Sequence, residues 1–443
     1  VGGAAAAGSG LAQIPGERPS RDPRAEILNP RCRVPVSLII DDSTCLVNLN
    51  HFAVPQFRAA WGGGQNYTQD WRKMPVEIPD DFVRKFGEWC GANGVKGKYS
   101  IVPYPACVGR LDREVPGWTP EEISASVRLV RDLMTRNWGI HPEMVTHTRV
   151  IDLRTGHPYT ARTLDYMENW KWTGGKTADE IAAYMAYALQ ILHNIELPCE
   201  GITTPGGFGN DARPQLAQAT LEACRHVYGA EIPHYFLHAI SEGTASVAPR
   251  VEYASGLGTA DPRCVVSIIG CTGDWTGNWD ATQTPRPDLF ITADGTKGRM
   301  VDVIGRGEPA CMVAHWTGIH HNGTEAGFRA FQEVVRRLNS RFDNVAWMKL
   351  SEISGYWAAK ELTSVSVEGS RAVMDAPFAC PALTVGFSGV KAGRVWRDGR
   401  QQALTEVNGR LRLASNTWTR DQDRCVACFD AGRGRSVVQF AEG

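Results

Sequence analysis

Val36-Ser-Leu-Ile-Ile-Asp-Asp42 is a short apolar run that stops abruptly on two adjacent carboxylates. An apolar run of this length, bounded by polar residues, reads as a strand buried on both faces. What surrounds it supports that reading. From Pro35 to about Glu361, short apolar runs alternate with helical stretches, the pattern of β/α units around a mainly parallel sheet. A helix is expected at about Asp80–Asn93, and a second strand at Tyr99–Tyr104. Thr119-Pro-Glu-Glu122 announces the next helix: Thr suits the N-cap, Pro the first helical position, and Glu122 closes a capping box. A third strand is expected at Met144–Ile151, then a second capping box, Thr177-Ala-Asp-Glu180, opens another helix. Later strands are expected at Gly201–Thr203, Tyr235–His238, Val265–Cys271 and Cys311–His315. The helices among them fall near Pro214–Tyr228 and Thr324–Leu338, and a last one begins at Ser351. Seven or so parallel strands with helices outside suggest a barrel rather than an open sheet.

After Lys360 the texture changes. SVSVEGSRAV, PALTVGF, GRVWRDG, GRLRLASNTW and RSVVQFAEG alternate apolar and polar residues between turn formers, which reads as antiparallel β structure. The expected organisation is an N-terminal extension over 1–33, an α/β barrel over 34–361 and a small all-β sandwich over 362–443.

Composition agrees with a large folded protein. The chain has 443 residues, 43% hydrophobic, 21% charged and 9% aromatic, ordinary globular usage with room for two or three domains at about 150 residues each. Forty-seven Lys and Arg against 48 Asp and Glu give a formal charge of −1, so there is no global field to hold nucleic acid or an anionic membrane. No apolar run approaches the ~18–20 residues of a membrane span. The opening VGGAAAAGSGLAQIPGERPSRDP has no basic or leucine-rich segment, yet its small residues resemble those flanking a removed secretory signal, so a secreted or periplasmic location is expected. The 12 Cys are scattered rather than framed at short spacings, which predicts a few disulfides of open pairing. Cys425-Val-Ala-Cys428 stands alone with no second such pair and no His nearby, so a structural or disulfide role is expected there.

In parallel β/α architectures the loops at the carboxyl ends of the strands converge on the active site. Four places qualify: Asp41-Asp42, Thr146-His147-Thr148, the stretch from Thr203 to Gly209, and His315-Trp316. Two neighbouring carboxylates at the end of an apolar run are costly unless a cation or hydrogen-bond donors stabilise them. One explanation is a division of labour, one carboxylate binding a divalent metal while the other removes a proton from its water. The alternative is an Asx-turn ending the strand. His147, considered with Asp42, is a candidate ligand. The 14 Trp include several in loop-like sequence, and aromatic faces suit sugar rings. Trp316, Trp275 and Trp279 are the best candidates for ligand contact.

These motifs resemble the polysaccharide deacetylase family, which has a NodB-type (β/α)7 barrel. Its first motif, an apolar strand running into Asp-Asp, matches Leu38-Ile-Ile-Asp-Asp-Ser43. Its second, a His-Thr or His-Ser step with another His four residues on, matches at His147-Thr148, but position 151 is Ile. The family's Arg-Pro-Tyr/Phe-Gly motif has an echo without Arg in Thr204-Pro-Gly-Gly-Phe-Gly209, and a late apolar strand ending in His resembles Met312-Val-Ala-His315. The resemblance spans roughly 34–361. It implies a metal-dependent hydrolase that removes acetyl groups from a polysaccharide or oligosaccharide, with a divalent metal cofactor such as zinc. Asp41 would be the general base, Asp42 and His147 metal ligands, and His315 the acid that protonates the leaving group. Backbone N–H groups near Gly206 and Gly207 would stabilise the oxyanion. Asp152, His51 or the His320-His321 pair would replace the missing second His. Two rival readings stay open: glycoside hydrolysis by two carboxylates drawn from Asp41, Asp42, Asp152, Asp211 or Asp274, and a non-catalytic glycan-binding or cell-surface structural protein.

Overall fold

Seven strands, running in parallel and ending at one rim, curl into a barrel-like ring. In the computed structural model, which describes residues 16–390, 392–398 and 402–441, they are Val34–Asp41, Gly97–Ile101, Trp138–Pro142, Gly201–Thr203, His234–Ala239, Arg263–Gly270 and Ala310–His315. The first pairs with the second and the seventh and, at its start, with a short further parallel strand, Val345–Trp347; the second pairs with the third, and the fifth with both the fourth and the sixth. Two parallel bridges, Ile140 to Cys199 and Glu143 to Thr203, connect the third strand to the fourth. On the other side the Cys271 N–H donates to the Cys311 carbonyl at 2.7 Å, connecting the sixth to the seventh. The molecule is therefore mixed α/β with a barrel-like sheet.

The first strand is buried along its whole length, as a near-continuous apolar run requires in a parallel sheet covered on both faces. Helices Asp80–Ala92, Pro120–Leu133, Ala178–Asn194, Arg213–Tyr228 and Ala326–Arg341 alternate with the strands. Both capping boxes form. Thr119 Oγ1 accepts from the Glu122 N–H at 3.2 Å while Glu122 accepts from the Thr119 N–H at 2.7 Å, and Thr177 and Glu180 repeat the exchange. One core cluster joins Ile39, Phe236, Ile268 and Val313 of the ring to Ile353 and Trp357 of the last helix, Leu350–Leu362.

Two local expectations need correction. The third strand lies at Trp138–Pro142 rather than Met144–Ile151, because Met144 and His147 take left-handed backbone with φ of 51° and 63°. All twelve cysteines are free thiols, so the expected disulfides do not form. Cys425 and Cys428 lie three apart on one strand, a spacing that points them to opposite faces, and they pack in different clusters.

The C-terminal strands form a nine-stranded hydrogen-bonded path. Every pairing in it is antiparallel except Gln402–Glu406 with Thr417–Asp421. The path folds over itself, for Phe387 and Phe440, far apart along it, meet edge to face at 5.0 Å. Its first strand is Ala25–Ile27, which pairs with Val385–Phe387 although it lies in the expected N-terminal extension. Residues 1–15 of that extension lie outside the described residues.

Candidate metal centre

Asp41 is the last residue of the first strand, and Asp42 begins the loop that follows. Glu143 follows Pro142, the end of the third strand, and His147 lies four residues further on. Asp42 and His147 share left-handed backbone, with φ of 62° and 63°. Side chains other than Gly adopt that conformation seldom, Asp and His among them more often than most, and it concentrates where a site demands it. The turns bring His147 Nε2 to 2.8 Å from Asp42 Oδ1 and 3.3 Å from Glu143 Oε1. The second Glu143 oxygen accepts the Asp42 N–H at 2.8 Å. All three side chains are buried, and one donor atom from each lies within 4.8 Å of the others.

A divalent cation fits this arrangement. Asp42 Oδ1 is buried and accepts no hydrogen bond, its close partner being His147 Nε2 at 2.8 Å. Leaving a buried carboxylate oxygen unpaired is costly. Two carboxylates and an imidazole are also a donor set suited to divalent metals. Burial works against the charged forms of Glu143 and His147, but nearby opposite charges outweigh it. Glu143 is held down at about 2, chiefly by His147, and His147 is raised well above the usual imidazole range by Asp42 and then Glu143.

Asp41 faces a different partner. Lys98, on the second strand, is fully buried and makes an ion pair with Asp41. Its ammonium also donates to the Ile40 carbonyl at 2.8 Å and to Ser100 Oγ at 2.7 Å. Burial raises the Asp41 carboxyl to about 6, with Glu143 adding to that effect while Lys98 and His315 oppose it.

His315 ends the seventh strand opposite Asp41 in the ladder. Its Nδ1 lies 2.9 Å from Asp274 Oδ2, and the other Asp274 oxygen accepts from the Thr276 N–H and hydroxyl at 3.0 and 2.7 Å. Burial disfavours a charged imidazole here, yet the charges of Asp42, Asp274 and Asp41, with the Asp274 hydrogen bond, raise His315 to about 10. Two acid–base groups thus flank the three converging donors at one rim.

Asp41, Asp42, His147 and His315 come together; the other expected site residues meet different fates. Trp316 is 1% exposed and packs against Phe82, Phe86 and Tyr99 at 5.0–5.2 Å, so it is core and meets no ligand. Trp275 is half-buried, edge-on to Phe290 at 5.0 Å. Trp279 belongs to an aromatic wall beside the site. It meets Phe57 and Tyr67, which with Trp170 lead out to Trp61, and Phe57 lies 6.2 Å from the His147 ring. The Gly207 N–H donates to the Asn169 carbonyl at 2.6 Å, so it is spent on the fold and not free for an oxyanion. A Cβ on Gly206 would come 2.7 Å from that carbonyl, so the glycine there serves a close backbone contact.

None of the expected substitutes supplies the missing ligand. Asp152 pairs with Arg154 on a short hairpin, His51 holds the Met74 carbonyl, His320 packs on Phe82, and His321 holds Thr324. The group that converges with Asp42 and His147 is Glu143: the pair spaced by four is Glu143–His147, with His147 its second member and a carboxylate at its first. Glu143 and Lys98 were not singled out by sequence reasoning. The signal for Glu143 was the four-residue spacing counted backwards from His147; for Lys98 it was a lone lysine inside an otherwise buried strand.

No family model matches the chain, and no curated protein does. Among solved structures, the chain is similar to a probable polysaccharide deacetylase from Pseudomonas aeruginosa PAO1 at 11% identity and TM-score 0.40, over 74% of this chain and 91% of that one. It is similar to the allantoinase PuuE at 11% identity and TM-score 0.36, over 78% and 95%. A Thermotoga maritima α-fucosidase aligns at 10% identity and TM-score 0.30, over 93% and 97%.

Proposed function

We propose that the chain is a metal-dependent hydrolase that removes acetyl groups from a glycan, on a ring of the NodB (β/α)7 type. The observation that carries this reading is the buried convergence of Asp42, Glu143 and His147, in which Asp42 Oδ1 accepts no hydrogen bond. The wall running from Phe57 to Trp61, a residue 40% exposed, supports a sugar as the acetyl carrier.

On this reading Asp42, Glu143 and His147 hold the divalent cation. When bound, the cation supplies polarisation of the acyl carbonyl and a lowered pKa for its water. Asp41 accepts the proton of the attacking water, its carboxylate kept in place by Lys98. His315, oriented through Nδ1 by Asp274, gives a proton from Nε2 to the departing amine or alkoxide. Of the carboxylates that glycoside hydrolysis would draw on, Asp274 is held by His315 and Asp152 by Arg154.

The test is acetate release from acetylated oligosaccharides, measured with purified protein before and after chelation and after adding back zinc, cobalt or manganese. Asp41→Asn is expected to stop turnover while retaining bound metal. Full activity in that variant removes Asp41 from the base role, and full activity after exhaustive chelation removes the metal from the reaction.

A further inference from the structure

Behind His147 lies a buried carboxylate for which the mechanism above has no use. Glu168 is fully buried on the segment between the Ile151–Asp152 hairpin and helix Ala178–Asn194. Its side chain folds back under the turn that carries His147. The Thr146 N–H donates to both carboxylate oxygens, at 3.0 and 3.1 Å, and the His147 N–H donates to Oε2 at 2.6 Å. Tyr184 donates its hydroxyl to Oε1 and itself accepts the Ile151 N–H at 3.1 Å. The backbone of the segment is tied to the same turn, because the Glu168 N–H donates to the Thr148 carbonyl at 2.7 Å.

These bonds act where the chain is under conformational constraint. A histidine at φ 63° has no helix or strand to satisfy its N–H, and a buried N–H must find an acceptor. Glu168 supplies that acceptor for two consecutive residues. The left-handed turn is thus held by these contacts rather than by its own propensity. Turning the backbone at 147 back to an extended conformation would swing the imidazole away from Asp42 and Glu143.

We propose that Glu168 is the positioning residue of the metal centre, fixing the His147 turn so that Nε2 meets Asp42 and Glu143 before any cation arrives. This rests on the reading of Asp42, Glu143 and His147 as metal ligands. Glu168 touches neither cation nor substrate; it acts through the backbone of His147. Outer groups that orient a ligand are typically worth about 10–100-fold in metal affinity.

The experiment is titration of the metal-stripped full chain with cobalt(II), following heat of binding and the visible ligand-field spectrum, for wild type, Glu168→Ala, Glu168→Gln and Tyr184→Phe. Glu168→Ala is expected to lose about 10–100-fold in affinity and to show an altered spectrum. Glu168→Gln keeps an acceptor oxygen for the backbone N–H groups and is expected to recover most of the loss. Amide hydrogen exchange at Thr146 and His147, read without metal, is expected to speed up in Glu168→Ala. If that variant does not fold, Tyr184→Phe carries the test with a smaller loss in the same direction. Wild-type affinity and spectrum in the folded Glu168→Ala protein, or in Tyr184→Phe if it alone folds, overturn the positioning role and leave the metal reading intact. Absence of cobalt binding by the wild type overturns both.

Discussion

Asp274 presents one carboxylate oxygen to His315 Nδ1 at 2.9 Å and has its other oxygen fixed by Thr276. The imidazole is thereby oriented with Nε2 free to meet a substrate. General acid–base groups contribute about 10²–10⁴-fold, so His315→Ala is expected to lower kcat by that range with little change in KM. Asp274→Asn is expected to lower kcat by a smaller factor, at the lower end of that range, about 10²-fold. Steady-state kinetics on an acetylated oligosaccharide checks both, and an unaltered kcat in His315→Ala would remove it from the acid role.

Glu143 gives one oxygen to the cluster and the other to the Asp42 N–H. Glu143→Ala removes a ligand and a backbone anchor together. Metal affinity is expected to fall by more than the ~10–100-fold typical of outer groups. Glu143→His, which restores a nitrogen donor at that place, is expected to bind metal more tightly than Glu143→Ala. Equal affinities for wild type and Glu143→Ala in competition with a chromogenic chelator would exclude Glu143 from the ligand set.

Lys98 and Asp41 form a buried ion pair. Removing one member leaves an uncompensated charge, which costs about 3–5 kcal/mol. Lys98→Met should therefore lower the urea midpoint strongly, and adding Asp41→Asn should restore part of the loss. Additive losses in the double variant would show that the two groups are not coupled.

Inside the ring, His141 Nε2 and His234 Nε2 lie 2.9 Å apart. Burial lowers both, His141 well below the usual imidazole range and His234 to about 4, and His141 is pushed further by its neighbour His234 and by Lys98. A histidine whose folded pKa is depressed is neutral in the folded protein, and it takes up protons in the unfolded chain first. Its contribution to stability is complete above about pH 6.5 and is lost as the pH falls from there toward the folded value. The stability difference between wild type and His234→Gln is expected to shrink or reverse between pH 7 and pH 4.5, read from urea midpoints. A difference constant across that window would contradict neutral burial of the pair. Gly201 makes room for it, since a Cβ there would come within 2.6–2.7 Å of both Nε2 atoms. Gly201→Ala is thus expected to cost about 1–3 kcal/mol.

Much of the ring is legible in the sequence because its signals are local. Thr119 and Thr177 announce their helices through hydroxyl and carboxylate groups three residues apart, and Val36–Ile40 announces a strand through uninterrupted burial. Trp138–Pro142 escapes because Gly139 and Pro142 weaken a strand reading that the neighbouring strands then override. Helix Leu49–Ala60 escapes for a related reason, carrying Pro55 inside it. At the site, Asp41, Asp42, His147 and His315 are visible as polar residues where apolar runs end. Glu143 and Lys98 leave only faint signals, and Glu168 none, because the partners that give them a role across the fold are 101, 57 and 21–22 residues away in the chain. Trp316 illustrates the opposite error: a tryptophan beside a site residue turned inward, as most large aromatics do.

Ala25–Ile27 hydrogen-bonds to Val385–Phe387, and the Tyr356 hydroxyl, on the last helix, donates to the Leu28 carbonyl at 2.8 Å. Head and tail of the polypeptide are stitched into one fabric across the ring that lies between them in sequence. A chain severed after Leu362 would keep a three-residue strand with nothing to pair against and would strip the cover from Tyr356. The C-terminal sheet is thus no detachable appendage, and limited proteolysis between the two parts would leave fragments that stay associated until denatured.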